Sequence, residues 1–148
     1  MDRQELWSLS TVVLGAASTL VDGVQEGMRR RGYPDLRPAH GFAFSRIGGL
    51  GCTVNELGEH LGVSKQAASQ MVAELEDKGY LERARHPGDG RAVLVTLSVR
   101  GRAATRAAEA SAADSLRGWA SSLSETRLRH LHEDLATLAG PGPLRPTW

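Results

Sequence analysis

Apolar residues return every three or four positions through most of this 148-residue chain, and one stretch alone changes to strand-like alternation. From Gln4 to Arg31, Leu6, Leu9, Val13, Ala16, Leu20 and Val24 keep helical spacing, which predicts a long amphipathic helix. Pro34 and Pro38 interrupt it. Pro38 then suits the first turn of a second helix carrying Phe42, Phe44 and Ile47, because the first helical amide has no intrahelical partner to lose. Thr53 and Glu56 have the spacing of a capping box, in which each side chain satisfies the other's backbone amide. Val54, Leu57 and Leu61 fall on one side of the short helix that follows. Gly62 supplies its left-handed end, Val63 plugs the turn, and Ser64 caps the next helix. So short a turn makes the two helices cross steeply.

The helix from Ser64 to Gly79 has two faces. Ala68, Met71, Val72 and Leu75 form a stripe that packs on a core. Gln66, Gln70 and Ala73 point the opposite way, flanked by Ser69 and Ala67, and no acid follows Ser64 until Glu74. Such a face can enter a major groove without repelling phosphates; Gln suits a bidentate contact to adenine, and an Ala methyl suits the methyl of thymine. An ordinary solvated helix carries the same residue types, so what flanks it decides between the readings.

Tyr80–Arg83 and Ala92–Val95 read as two short strands, separated by His86-Pro87-Gly88-Asp89-Gly90, whose proline and glycines favour a hairpin turn. Arg85, Arg91, Arg100 and Arg102 place four positive charges near it against the single acid Asp89. Arginine at a hairpin tip beside a groove-reading helix reaches phosphates or a narrow minor groove. Past Ser98 a long helix is rich in alanine (Ala103, Ala104, Ala107, Ala108, Ala110, Ala112, Ala113), small enough for a neighbouring helix to approach closely. Ser124 caps a last helix in which Leu128, Leu131, Leu135 and Leu138 make a coiled-coil-like seam. The tail from Gly140 to Trp148 reads as irregular, with Trp148 able to dock on a neighbour.

The expected fold is mainly α with a small β-hairpin wing (α+β): a winged helix-turn-helix spanning 38–97, inside a single domain 1–148. Helices 4–31 and 98–139 form a dimerisation region, since Trp7, Trp119 and the leucine seam exceed what one small lobe needs to cover. Within this order, TVNELGEHLGVSKQAASQMVAELEDKGYLER, the wing motif Asp89-Gly90-Arg91 and the helix opening Leu97-Ser98-Val99-Arg100-Gly101 resemble the MarR (multiple antibiotic resistance regulator) family of transcription factors. The resemblance implies a homodimer on double-stranded DNA, and the lack of a signal peptide or spanning run makes a cytoplasmic protein the expectation. It implies a repressor released from a palindromic operator by a small, often phenolic or lipophilic effector. Arg91 is then aimed at the minor groove and oriented by Asp89. Together with the helix face and wing residues read above, the expected DNA-binding set is Ser64, Lys65, Gln66, Ala67, Ser69, Gln70, Arg85, Asp89 and Arg91. The chain departs from the family pattern in Ser98, usually threonine, and Gln70, often arginine.

Net charge is only +1, and between Pro38 and Leu97 six Lys and Arg face seven Asp and Glu, so placement of charge matters more than its total. No apolar run reads as long enough to span a membrane, and no signal peptide opens the chain. Cys52 stands alone, which excludes an internal disulfide and favours a small buried residue over a thiol sensor. His130 and His132, two apart, lie on different sides of their helix and match no closed zinc site. No nucleophile with a base, paired carboxylates or phosphate loop appears at a usable spacing, so an enzyme and a bound cofactor are not expected. A thiol- or metal-responsive regulator and a winged protein-interaction module that does not bind DNA remain as alternatives. Trp7, Phe42, Phe44 and Met71 are the residues that would line an effector pocket, or else plain core.

Overall fold

The computed structural model describes residues 1–139; the tail from Gly140 to Trp148, and with it the reading of Trp148 as a docking residue, lies outside them. Helix α1 spans Arg3–Arg30, opened by a capping box in which the Asp2 carboxylate accepts from the amides of Gln4 and Glu5 while Glu5 accepts from that of Asp2. Helix α2, Pro38–Ile47, has proline in its first turn. Helices α3, Val54–Leu61, and α4, Lys65–Asp77, form the helix-turn-helix. The capping box of Thr53 and Glu56 is made in both directions, Gly62 is left-handed at φ 66°, and the Ser64 hydroxyl accepts from the Ala67 amide at 3.1 Å. Strands β1, Leu81–His86, and β2, Asp89–Leu97, pair antiparallel, and α5, Val99–Ser122, and α6, Glu125–Ala139, complete the order.

Two local expectations need correction. Val63 does not plug the turn: its side chain is 41% exposed, and the turn is closed by its amide donating to the Gly58 carbonyl. Small residues take over the filling role, since a Cβ on Gly58 would lie 3.5 Å from that of Ala68. The strands are also longer than their apolar runs. Asp89 and Gly90 join β2, and the turn shrinks to Pro87-Gly88, because backbone pairing continues past the last side chain that packs on anything.

The core lies in the winged helix-turn-helix lobe. Phe44 and Ile47 from α2, Leu57 and Leu61 from α3, Val72 and Leu75 from α4, and Tyr80, Val95 and Leu97 pack together, joined by Met28 of α1 and Ala104 of α5. Cys52 is buried in the same cluster, and its backbone exchanges both hydrogen bonds with Val95 as a one-residue third strand. Burial pushes its thiol pKa up, which suits a structural residue better than a reactive thiolate.

The stem is built on close approach. A Cβ at Gly23 or Gly27 of α1 would run into Ser115 or Ser111 of α5, and Arg31 bonds Ser111 and Asp114 across the same contact. The rest of α1 finds no cover in its own chain: Leu6, Trp7, Leu9, Val12, Val13 and Leu14 are all exposed. Along α6, Leu128 and Leu131 are half-buried and Leu138 is 81% exposed.

The membrane reading therefore changes in one respect. Within α1, an 18-residue window is long and apolar enough to cross a bilayer by length and composition, and none of it is buried. Its alanine, glycine, serine and threonine dilute the apolar stripe without adding charge. The partner helix α5 bears Arg102, Arg106, Glu109, Asp114 and Arg117, charges that are expensive in hydrocarbon.

Where α5 begins, a Cβ on Gly101 would collide with the carbonyl oxygen of Tyr80, a backbone atom that cannot rotate away. Gly118 on the same helix meets nothing. Gly101→Ala is expected to destabilise the fold by about 2 kcal/mol or more, whereas Gly118→Ala gains up to ~1 kcal/mol from helix propensity. Urea unfolding of the two variants against wild type checks the contrast.

Candidate nucleic-acid interface

Helix α4 presents its polar face as its periodicity requires. Ala68, Val72 and Leu75 are buried, while Lys65, Gln66, Ser69, Gln70 and Ala73 are exposed. Two residues differ from expectation. Met71 is only half-buried at the edge of the stripe, and Ala67 is half-buried rather than fully outward. Ser64 lies exposed at the helix start with its hydroxyl engaged in the cap.

Two of the acids that follow this face, Glu74 and Glu76, are matched by bases, while Asp77 lies exposed at the helix end. Glu74 accepts from Lys78 at 2.7 Å and from Arg37 at 2.9 Å, contacts that lower its pKa against the opposing effect of partial burial. Glu76 accepts a two-pronged set of bonds from Arg83 at 2.8, 2.9 and 3.0 Å. Neither Glu74 nor Glu76 is thus left as an unmatched carboxylate behind the exposed polar face of α4.

In the wing, Arg85 pairs with Val93 and His86 with Asp89, so β2 advances four residues while β1 advances one. Gly90, Arg91 and Ala92 bulge out of the ladder between them, which increases local twist and re-aims side chains. Asp89 acts on this bulge through the backbone: its carboxylate accepts from the Arg91 amide at 3.0 Å, with no ion pair to the guanidinium. At the turn, His86 Nδ1 accepts from the Gly88 amide at 3.0 Å. Arg85 and Arg91 are exposed, and no acid among the described residues lies within ion-pair distance of either.

Arg100 and Arg102 do not belong to this tip. The Arg100 guanidinium sits 4.6 Å from the centroid of the Tyr80 ring and donates to its hydroxyl, and Arg102 donates to the Leu97 carbonyl. Sequence proximity grouped four arginines; the return of β2 to the lobe separates them into two pairs.

Beneath α4 lies a polar cluster with no sequence motif, because its members come from distant segments. His40 is fully buried in the first turn of α2. Its Nδ1 accepts from the Arg37 amide at 3.1 Å, and its Nε2 lies 3.8 Å from Glu74. Desolvation, helped by Arg37 and opposed by Glu74, lowers its pKa from 6.5 to about 4. Alongside, Lys78 donates to the Asp35 carbonyl at 3.0 Å and Tyr80 donates to the Asp35 carboxylate at 2.9 Å. The linker between α1 and α2 is therefore bonded to the end of α4.

Trp7, Phe42, Phe44 and Met71 are not gathered into one pocket. Phe44 is buried in the core, Phe42 and Met71 pack at its edge, and Trp7 is exposed on α1 near Arg3 and Ser10. Among the described residues no group of three or more His, Cys, Asp or Glu comes together, and His130 and His132 are exposed on α6.

Residues 35–92 match the family model described as MarR family. The fold is similar to that of YusO from Bacillus subtilis at 22% identity, covering 96% of this chain and 100% of that one, with a TM-score of 0.68. A probable transcriptional regulator from Pseudomonas aeruginosa is 29% identical over 87% of this chain and 95% of its own, with a TM-score of 0.67. A mutant MarR from E. coli, solved in complex with operator DNA, is 23% identical over 93% of this chain and 99% of its own, with a TM-score of 0.71. No curated protein sequence matches the chain.

The buried His40 makes stability depend on pH with a definite sign. Its folded pKa lies below its unfolded one, so between about 6.5 and about 4 the unfolded chain binds the extra proton and stability falls as pH falls. The loss across that window is on the order of 3 kcal/mol. Urea midpoints measured from pH 7 to 4.5 should fall for wild type and change much less for His40→Asn.

Proposed function

From the match of residues 35–92 to the MarR family model, we propose that this chain is a homodimeric repressor of the MarR type, a winged helix-turn-helix transcription regulator. Two α4 helices read a palindromic operator and a small-molecule effector releases them. One observation carries the DNA-binding part: an exposed, acid-free face on α4 with paired carboxylates behind it, beside a hairpin whose tip arginines have no acid partner among the described residues. Ser64 and Lys65 meet phosphates at the helix start, where backbone amides favour anions. Gln66 and Gln70 read base edges, with Ser69 and the edge of Ala67 beside them. Arg85 and Arg91 hold the flanking backbone and minor groove, with Asp89 setting the Arg91 backbone. In the relatives, structures of a MarR mutant and of MepR from S. aureus contain DNA, the first an operator and the second an oligodeoxyribonucleotide.

The dimer reading rests on the uncovered apolar surface. Residues 4–31 and 98–139 form the pairing region of a single domain, 1–148, whose reading lobe is 38–97. A second copy covering Leu6 to Leu14 and the α6 seam removes from water the large apolar surface that the lone chain leaves exposed. An effector seated where stem meets lobe shifts the spacing of the two α4 helices by favouring one spacing over the other. That spacing has to match about one DNA turn, ~34 Å, for both helices to bind together.

Selection of bound sequences from a random duplex pool tests the reading. An inverted repeat with half-sites about one turn apart is expected; no enrichment over the starting pool would overturn it. On the selected operator, Arg91→Ala should weaken binding by about 1–3 kcal/mol with the fold intact.

Assembly gives a separate outcome. Leu131→Asp combined with Leu135→Asp would bury unpaired charge in the proposed seam, yielding monomer or unfolded chain and loss of operator binding. A folded wild-type monomer at micromolar concentration in sedimentation, binding the repeat with full affinity, would refute the dimer.

A further inference from the structure

We propose that the Glu76–Arg83 ion pair is a positioning device for DNA binding, fixing the wing against the last turn of α4 so that Arg85 and Arg91 arrive where the groove requires. The inference rests on the DNA-binding reading above. Helix α4 and strand β1 are joined by a short connection that includes Gly79, at φ 79°, and Tyr80. The base of the hairpin is anchored by burial of Leu81, Val95 and Leu97, and by the backbone bonds of Val95 to Cys52. Beyond that base, Glu82, Arg83, Ala84 and Arg85 are all exposed, and so is Val93 on the facing strand. Arg83 pairs across the ladder with Val95 at the outer limit of the anchored part. Among the described residues no hydrogen bond or ion pair ties the hairpin from Ala84 to Leu94 to the rest of the lobe. The bonds from Arg83 to Glu76 are therefore the outermost tether of the wing to α4.

Their geometry suits that duty. Arg83 Nε and Nη2 both donate to the Glu76 carboxylate, and a planar fork on a planar carboxylate fixes orientation as well as distance. An extra acid on a DNA-reading helix opposes binding to phosphates, so Glu76 needs a compensating role. Holding a hairpin with two arginines at its tip is such a role.

The two explanations of Glu76 differ in sign. If it were merely an acid near DNA, or if it masked Arg83 from a phosphate, Glu76→Ala would strengthen binding. As a positioning residue, its loss lets the hairpin rock and weakens operator binding, by roughly tenfold if one wing contact is lost. The second variant, Arg83→Lys, keeps the charge and the reach to a phosphate but not the fork. The positioning role expects it to weaken binding to a similar degree.

The experiment is a titration of full-length wild type, Glu76→Ala, Arg83→Lys and Arg91→Ala on the selected operator over a range of salt, with circular dichroism reporting the fold. Expected are weaker binding by the first two variants, and a shallower salt dependence by about one phosphate contact, ~0.9 in slope. Arg91→Ala should also cost less when added to Glu76→Ala than when made alone, because a loose wing has already lost that contact. Unchanged or tighter binding by folded Glu76→Ala and Arg83→Lys, or full additivity with Arg91→Ala, would overturn the positioning role and leave DNA binding standing. Failure of wild type to bind any selected duplex would overturn the DNA-binding reading and this role together.

Discussion

Burial of Tyr80 is the constraint on which the other parts depend. Its ring is fully buried against Phe44 and Tyr33, at centroid distances of 5.9 and 6.2 Å. Its amide donates to the Leu75 carbonyl at the end of α4, and its carbonyl accepts from the Ser98 amide at the start of α5. Its hydroxyl reaches Asp35 in the linker from α1, while Arg100 lies over the ring. A buried phenol needs a hydrogen-bond partner, so satisfying one side chain orders the stem exit, the reading helix and the return to the stem around a single point. Gly101 follows from the same constraint, because only an absent Cβ lets α5 pass the Tyr80 carbonyl.

Charge is arranged around this core so that two of the acids near the end of α4 link it to its neighbours. Glu74 ties the helix to the linker through Arg37 and Lys78, and Glu76 ties it to the wing through Arg83. Exposed ion pairs of this kind contribute little to stability, about 0–1 kcal/mol each. Their value lies in orientation: they are the polar links that set the angles between α4, the linker and the wing. Arg85 and Arg91 keep their charges outside these pairs.

The stem follows a different logic. At its inner end α1 packs tightly on α5 through glycine against serine, and at its outer end it offers leucine, valine and tryptophan to solvent. A helix apolar on more than one side is ordinarily buried. With α6 also uncovered, the lone chain leaves a broad apolar surface open, which is the surface the proposed second copy would cover; the charges along α5 are expensive in a bilayer.

What the sequence by itself determined is local. The capping box at Thr53, the left-handed Gly62, the Ser64 cap, Pro38 at a helix start and the two faces of α4 are written within a few residues of one another, and hydrogen bonding over that range needs no distant partner. The family motif was legible for the same reason, and so were the exposed face of α4 and the tip arginines. Tertiary structure alone decided the rest, where partners are far apart in the chain. His40 became a buried neutral imidazole because the packed segments around it strip it of water, an effect that Arg37 reinforces and Glu74 opposes. Arg100 left the wing because Tyr80 offered a ring and a hydroxyl. Val63 was released to solvent because two small residues, Gly58 and Ala68, let the helices close without it. The bulge that carries Arg91 depends on the register of two strands, which is set by how their buried ends, Leu81 and Leu97, dock on the core. Side-chain spacing encodes a helix face or a cap, whereas long-range contacts arise only when the packed core brings separate segments together.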